Sequence, residues 1–240
     1  MAKIRLFIDH PLAQGQGIAL NADQAHYLSS VMRQGPGDEI LAFNGRDGEW
    51  LLRIERLAKR NGDVVPVRQT APQMNPPDLW LIFAPIKKAR TDFIVEKAAE
   101  MGAAKILPVH TDHTNSERIR QDRLQAHAVE AAEQCGGTFV PQVHDLVSLG
   151  RLLDGWNGTR RILWADEALA GPAETLAGGL ERGPWAILIG PEGGWSEAER
   201  ARLIATDCVT RISLGPRILR ADTAAVASLA LWQSALGDWQ

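Results

Sequence analysis

The chain has 240 residues, 45% of them hydrophobic and 23% charged, with 22 glycines and 13 prolines, a globular composition that excludes collagen-like structure and wholesale disorder. Its 26 Lys and Arg against 29 Asp and Glu leave a formal charge of −3, so bulk charge does not hold it to nucleic acid and any polyanion site has to be a local patch. The two cysteines, Cys135 and Cys208, stand far apart without a CxxC, which fits a reducing compartment rather than a disulfide scaffold.

At the N-terminus, Ile4 and Arg5 lead to Asp9 and His10 instead of an apolar signal core, and the longest apolar stretch, Ala224 to Trp232, is about half a membrane span. The expectation is a cytoplasmic protein, neither exported nor membrane-spanning. Residues 1–70 read as short strands and turns. Ile4 to Ile8 partly alternates, Gly35 to Asp38 and Asn44 to Gly48 are turn clusters, and Glu49 to Ile54 and Asp63 to Val67 are strands between them. A small β-barrel is the economical interpretation. Ala71 to Asp78 then holds three prolines in eight residues, which neither a helix nor a central strand accommodates, and the domain boundary is placed there, giving domains 1–72 and 73–240.

Beyond the boundary the texture changes. Leu79 to Ala84 is a continuous apolar run, as for a strand covered on both faces. Helical spacing follows over Thr91 to Met101, Gly102 stops that helix, and Ile106 to Val109 returns as a strand. The rhythm continues with a helix over 117–134, a short strand near Phe139 and Val140, and a strand over Arg161 to Ala165. A helix over 172–181, a strand over Trp185 to Ile189, a helix over 197–206, a strand over Val209 to Leu214 and a last helix over 221–236 complete it. Strands alternating with helices make an α/β fold with a parallel sheet covered on both faces.

Two junctions put glycine where a strand hands over to a helix. The first runs Leu188, Ile189, Gly190, Pro191, Glu192, Gly193, Gly194, Trp195, with Ser196 and Glu199 at capping-box spacing. The second runs Leu214, Gly215, Pro216, Arg217, Ile218, Leu219, Arg220. Loops at the carboxyl ends of parallel strands are where such folds bind ligands, and two in tandem suggest one pocket; tight turns are the competing interpretation. No P-loop is present, Gly15 and Gly17 lack the third glycine of a dinucleotide fingerprint, and no nucleophile elbow occurs. His110, Asp112 and His113 have no distant third partner, so no metal is expected.

GPEGGWSEAE followed by LGPRILRADTA, with Lys97 to Gly102 and Glu130 to Cys135 upstream, resembles the bacterial 16S ribosomal RNA (uracil-1498-N3)-methyltransferase family of the SPOUT superfamily, over nearly the whole chain. The resemblance implies a SPOUT-type sheet with a C-terminal trefoil knot behind a PUA-like RNA-binding barrel, an S-adenosyl-L-methionine site completed across a homodimer, and 16S rRNA or the small ribosomal subunit as partner. Matched by motif, Leu188 to Gly194 and Leu214, Gly215, Arg217, Ile218 and Leu219 would wrap the cofactor through backbone groups. The small residues of the last helix, Ala221, Ala224, Ala225, Ala227 and Ser228, suit close packing there and equally an ordinary core.

The implied reaction has a uracil N3 attacking a sulfonium methyl group. Arg220 is the first candidate to stabilise charge on the uracil and Arg217 the second, while Glu192 or Asp222 would accept the N3 proton. RNA would be held by Lys87, Lys88 and Arg90, by Arg118, Arg120 and Arg123, and by Arg5, Arg33 and Arg46, against the alternative that each cluster is a solvated face. Three departures stand out. Asp222 replaces the family's Glu after RILR, Gly136 and Gly137 stand where an arginine is common, and Asp112, His113 and Thr114 replace an arginine-serine pair. Methylation of another nucleotide or of a ribose 2′-hydroxyl, and a silent RNA-binding assembly module, are the rival functions.

Overall fold

The computed structural model describes residues 4–115, 118–169, 171 and 180–239. The chain divides into two compact units, one of Met1–Asn75 with Ala132–Val140, the other of Pro76–Ala131 with Pro141–Gln240. No helix among the described residues is long and apolar enough to cross a membrane.

The first unit is a five-stranded sheet of β1 (Arg5–Phe7), β2 (Ile18–Leu20), β3 (Glu39–Phe43), β4 (Glu49–Leu57) and β5 (Gly62–Ala71). The order is β1-β3-β4-β5-β2, with β1 parallel to β3 and the other pairs antiparallel. Register shifts along β4 and β5 bend the long pair around a core that includes Ile8, Leu28, Ile40, Leu52, Ile54 and Val64. A helix, α1 (Ala22–His26), and a π-helical turn over Tyr27–Val31 interrupt the strands, where the sequence pattern showed only strands and turns. Five residues are too few for a helical period to register, although Asn21 and Gln24 form the capping box that starts α1.

The second unit holds β6 (Leu79–Phe83), α2 (Lys88–Glu100), β7 (Lys105–His110), α3 (Gln121–Cys135), β8 (Gln142–Val143), β9 (Val147–Ser148) and α4 (Leu149–Asp154). β10 (Arg161–Ala165), β11 (Trp185–Ile189), α5 (Glu197–Ile204), β12 (Val209–Ile212) and α6 (Ala221–Leu236) follow; the last turn of α3 belongs with the first unit. The order is β12-β10-β11-β6-β7-β8 with β9 also on β7, and every pair is parallel. Leu81, Phe83, Ile106, Ile162, Leu163, Trp164 and the whole of β11 are buried, which is why these strands read as unbroken apolar runs.

Several element ends differ from the sequence expectation. α3 begins at Gln121 rather than 117, so Arg118 and Arg120 precede it. Phe139 and Val140 form no strand; pairing with β7 starts beyond Pro141, where the Gln125 side chain grips both Pro141 O (3.1 Å) and Val143 N (2.9 Å). β9 and α4 were not anticipated, being too short for periodicity to mark. The expected helix 172–181 lies largely outside the described residues. Gly102 ends α2 at φ +75, and beside it the buried Gln233 of α6 donates to Met101 O (2.6 Å), tying α2 to the last helix.

Candidate active site

Strands β12, β10 and β11 are neighbours, so the segments leaving their carboxyl ends open onto one cleft, enclosing about 630 Å³ with the solvent at its mouth included. Of the residues singled out in the two glycine loops, Ile189, Gly190, Pro191, Glu192, Gly194, Leu214, Gly215, Arg217, Ile218 and Leu219 line it. Leu188 does not; it is buried within β11, opposite Trp164 and Ile82. Gly193 instead faces His113, whose Cβ would lie 3.1 Å from a Cβ on Gly193. Arg220 caps the start of α6 and is exposed.

The cleft has a third wall that the motifs did not reveal. Ala165 ends β10 and Asp166 and Glu167 follow it, and Ser213, Ala221 and Ala224 close the remainder. Asp166, its side chain fully buried, accepts from Arg200 Nη1 (2.5 Å), from Arg211 Nε and Nη2 (2.9 and 2.6 Å) and from Ala168 N (3.0 Å). Burial alone would raise this carboxyl, but the hydrogen bonds from Arg200 and Arg211 outweigh it and hold the group below the ordinary carboxylate value. Burial likewise opposes the charge on Arg200, and Asp166 and Glu167 more than restore it, raising Arg200. Arg200 also reaches Glu167 (2.7 Å), and both guanidiniums lie 5.4 Å from the Trp164 ring. A carboxylate immediately after an apolar parallel strand was the sequence signal for Asp166.

The loop 190–194 is shaped from below and from the side. Trp195, 6% exposed, packs edge-on against Trp164 at 5.8 Å and lies directly under Gly190. Gly194 takes φ +67, with Glu167 Oε1 only 2.8 Å from where a Cβ would stand. From the side, the loop after β7 clasps it. Ser196 Oγ donates to Asp112 Oδ2 (2.5 Å), Asp112 N donates to Glu199 Oε1 (2.9 Å), and His113 Nδ1 donates to Gly193 O (2.9 Å). Ser196 and Glu199 complete the capping box of α5. The family departure at Asp112 and His113 therefore falls on residues that hold the first glycine loop.

Within the cleft Glu192 and Arg217 are exposed, and the site candidates outside it are dispersed. Asp222 accepts from Arg90 (3.1 Å). Lys88, Arg118 and Arg123 surround a second cleft together with Arg120, and Lys87 is exposed beside it as the N-cap of α2. Arg33 is exposed at φ +54 in the first unit. Arg5 is turned inward. It donates to Glu49 Oε2 (2.6 Å), to the carbonyls of Ala132 (2.7 Å) and Glu133 (3.0 Å) and to Gly137 O (2.8 Å), so its guanidinium caps the end of α3. Arg46 pairs with Asp9 at the surface.

Residues 73–233 match the RNA methyltransferase domain family, and residues 20–67 match the RNA methyltransferase PUA domain. The chain belongs to the RNA methyltransferase family. The ribosomal RNA small subunit methyltransferase E of Rickettsia conorii is 29% identical over 227 residues, covering 94% of this chain and 93% of that protein. The protein of the same description from Synechocystis is 30% identical over 222 residues, with 89% and 71% covered. Among solved structures, ribosomal RNA small subunit methyltransferase E from Neisseria gonorrhoeae, bound to S-adenosyl methionine, has a TM-score of 0.88 at 26% identity, covering 99% of this chain and 100% of that one. A Legionella pneumophila chain in complex with the same cofactor reaches 0.89 at 27% identity over the same shares. In this RNA methyltransferase both glycine loops and the last helix as far as Gln233 fall inside the matched domain. Among the described residues no group of three or more His, Cys, Asp or Glu is placed to hold a metal ion.

Proposed function

We propose that this RNA methyltransferase transfers a methyl group from S-adenosyl-L-methionine to N3 of a uridine in 16S ribosomal RNA, of the position-1498 class. The observation that carries this is the convergence of Gly190–Gly194 and Leu214–Leu219 on one cleft, in a chain whose relatives of this description include one bound to S-adenosyl methionine.

The cleft suits that cofactor. A Cβ on Gly215, at φ +110, would meet no atom of the described residues within 4 Å, which leaves that backbone open toward a ligand on their side. The small side chains of Ala165, Ala221 and Ala224 leave room on the other walls. Loops 190–194 and 214–219 would hold the cofactor through main-chain groups. Bound there, S-adenosylmethionine supplies an electrophilic methyl group on a sulfonium.

The chain's own residues prepare the acceptor. Glu192, exposed on the cleft wall, accepts the proton from uracil N3, and the Arg90 ion pair already on Asp222 favours Glu192 over Asp222 for that task. Arg220, with Arg217 second, stabilises the negative charge that then spreads onto the uracil carbonyl oxygens. Holding the base in line supplies much of the remainder. Because N3 is occupied in a base pair, the target is unpaired or extruded before transfer.

Two finer features belong with this proposal. A trefoil knot of the C-terminal chain is supported by the return from edge strand β12 to α6, which packs on α2 and β11. A homodimer completing the site is supported by Ile218, a large apolar side chain 74% exposed on the cleft wall. The test of the function is methylation of purified 16S rRNA and of small subunits, read by mass spectrometry of nuclease digests. A 3-methyluridine product is the outcome the proposal requires; a ribose methyl group, or no transfer to either substrate, would remove it.

A further inference from the structure

Apart from the active-site cleft, the second unit carries an open trough where the start of α2 meets the segment leading into α3, enclosing about 700 Å³ with its open mouth. Four of the eight described residues that line it are Lys88, Arg118, Arg120 and Arg123, and none of the eight is acidic. In a chain of net charge −3 that is a local reversal of sign.

The cations differ in how they are held. Arg123 is fixed by two hydrogen bonds to Asp92 (2.6 and 2.7 Å), with its side chain 27% exposed. Arg120 pairs with Asp122 in full view of solvent (2.6 Å). Lys88 and Arg118 are exposed and have no carboxylate partner among the described residues. With Arg120 and Arg123 already paired, Lys88 and Arg118 carry the uncompensated positive charge of the trough, which an entering anion would neutralise. The first turn of α2 carries no acidic residue either, so its helix dipole adds to the same sign.

The lining also says what kind of anion fits. Among the described residues it contains no aromatic ring on which a base could stack. The Thr91 hydroxyl, its one uncharged polar side chain, is already spent on Ile86 N and Ile86 O, both at 3.0 Å. Cations and the aliphatic walls of Ile86, Ile119 and Leu124 remain. Such a surface meets phosphates and sugar edges and leaves bases unread.

We propose that this trough binds the phosphodiester backbone of the RNA substrate, independently of sequence, with Lys88 and Arg118 neutralising phosphates and Arg123 held in place by Asp92. The proposal rests on RNA being the substrate. It separates two tasks, with the glycine-loop cleft handling one nucleotide and the trough anchoring the strand that carries it.

The test is binding of a labelled 16S rRNA fragment over a series of KCl concentrations, for the wild-type chain and the double variant Lys88→Gln/Arg118→Gln. Each neutralised phosphate contributes a slope of roughly 0.7 to 0.9 in log affinity against log salt, so the double variant should lose about 1.5 of slope. Its affinity at physiological salt should fall about tenfold. Arg202→Gln, a cation already paired with Asp154 on α5, should leave the slope unchanged. Calorimetry with S-adenosylmethionine checks that the double variant keeps its fold and cofactor cleft. An unaltered slope in a folded double variant would overturn the proposal, as would displacement of the RNA by low-millimolar inorganic phosphate, which would mark a free-anion site. Failure of the function above is read separately, as a wild-type chain that binds RNA through Lys88 and Arg118 yet transfers no methyl group.

Discussion

The indole of Trp195 occupies the space into which a side chain at Gly190 would project; a Cβ there would stand 2.8 Å from Trp195 Cε2 and 2.9 Å from Cζ2 and Nε1. The glycine at the head of the loop is thus demanded by the protein's own ring, before any ligand enters. Gly190→Ala should force the loop away from Trp195 at about 1–3 kcal/mol of stability and weaken S-adenosylmethionine binding at least tenfold by calorimetry. Because Trp195 Nε1 is buried without a hydrogen-bond partner among the described residues, Trp195→Phe loses no polar contact and shrinks the obstructing ring. The pair Gly190→Ala/Trp195→Phe should therefore recover part of the affinity, and a double variant no better than Gly190→Ala would show that the ring is not the obstacle.

Asp166 gives a stability prediction with a defined pH window. Its carboxyl is held below its ordinary value of 3.8 because the bonds from Arg200 and Arg211 outweigh its burial. A folded value below the unfolded one contributes stability that is complete above 3.8 and is lost as pH falls through the lower folded value. Asp166→Asn should cost about 3 kcal/mol at pH 7, the lower end of what removing one partner of a buried ion pair costs, because both guanidiniums keep a route to solvent. Urea midpoints measured from pH 7 to pH 3 should show the wild type and Asp166→Asn converging at the acid end; a gap independent of pH would deny the ion pair its role.

What could be seen in the sequence was what repeats or what glycine marks. The strands of the second unit announced themselves because burial on both faces leaves no polar interruption, as in Trp185 to Ile189. The two glycine loops were visible through Gly190, Gly194 and Gly215. Hidden were contacts between residues distant in the chain. Asp166 meets Arg200 and Arg211 across 34 and 45 positions, and Asp112 meets Ser196 across 84. Arg5 looked like a surface cation, and only folding brings the end of α3 to its guanidinium across 127 positions. α1 and α4, of five and six residues, are shorter than the window in which a helical period is readable.

The bond between the Asp112 carboxylate and the Ser196 hydroxyl should affect the cofactor loop more than the fold. It is near the surface and is worth about 1 kcal/mol or less. Asp112→Ala should lower S-adenosylmethionine affinity about two- to fivefold, speed amide exchange over residues 190–196 and leave the thermal midpoint nearly unchanged. Asp112→Asn retains an acceptor for the Ser196 hydroxyl and should be milder. Equal exchange rates in Asp112→Ala and the wild type would show that the loop holds its shape without the Asp112 carboxylate, the main-chain bond to Glu199 being kept.

Arg220 is the sharpest test of the chemistry. It stands at the head of α6, exposed and next to the cleft-lining Leu219 and Ala221, and its side chain makes no capping bond to the helix. Its removal should therefore leave fold and cofactor affinity intact. If its charge balances the anion on the uracil ring, Arg220→Ala loses a stabilisation present only in the transition state. That predicts a fall in kcat of about 100-fold or more, with RNA affinity nearly unchanged. Arg220→Lys keeps the charge without the planar fork and should fall between the two. Arg217→Ala provides the comparison, since Arg217 also lines the cleft and is exposed. Near-normal turnover in Arg220→Ala together with a collapse in Arg217→Ala would transfer the role to Arg217.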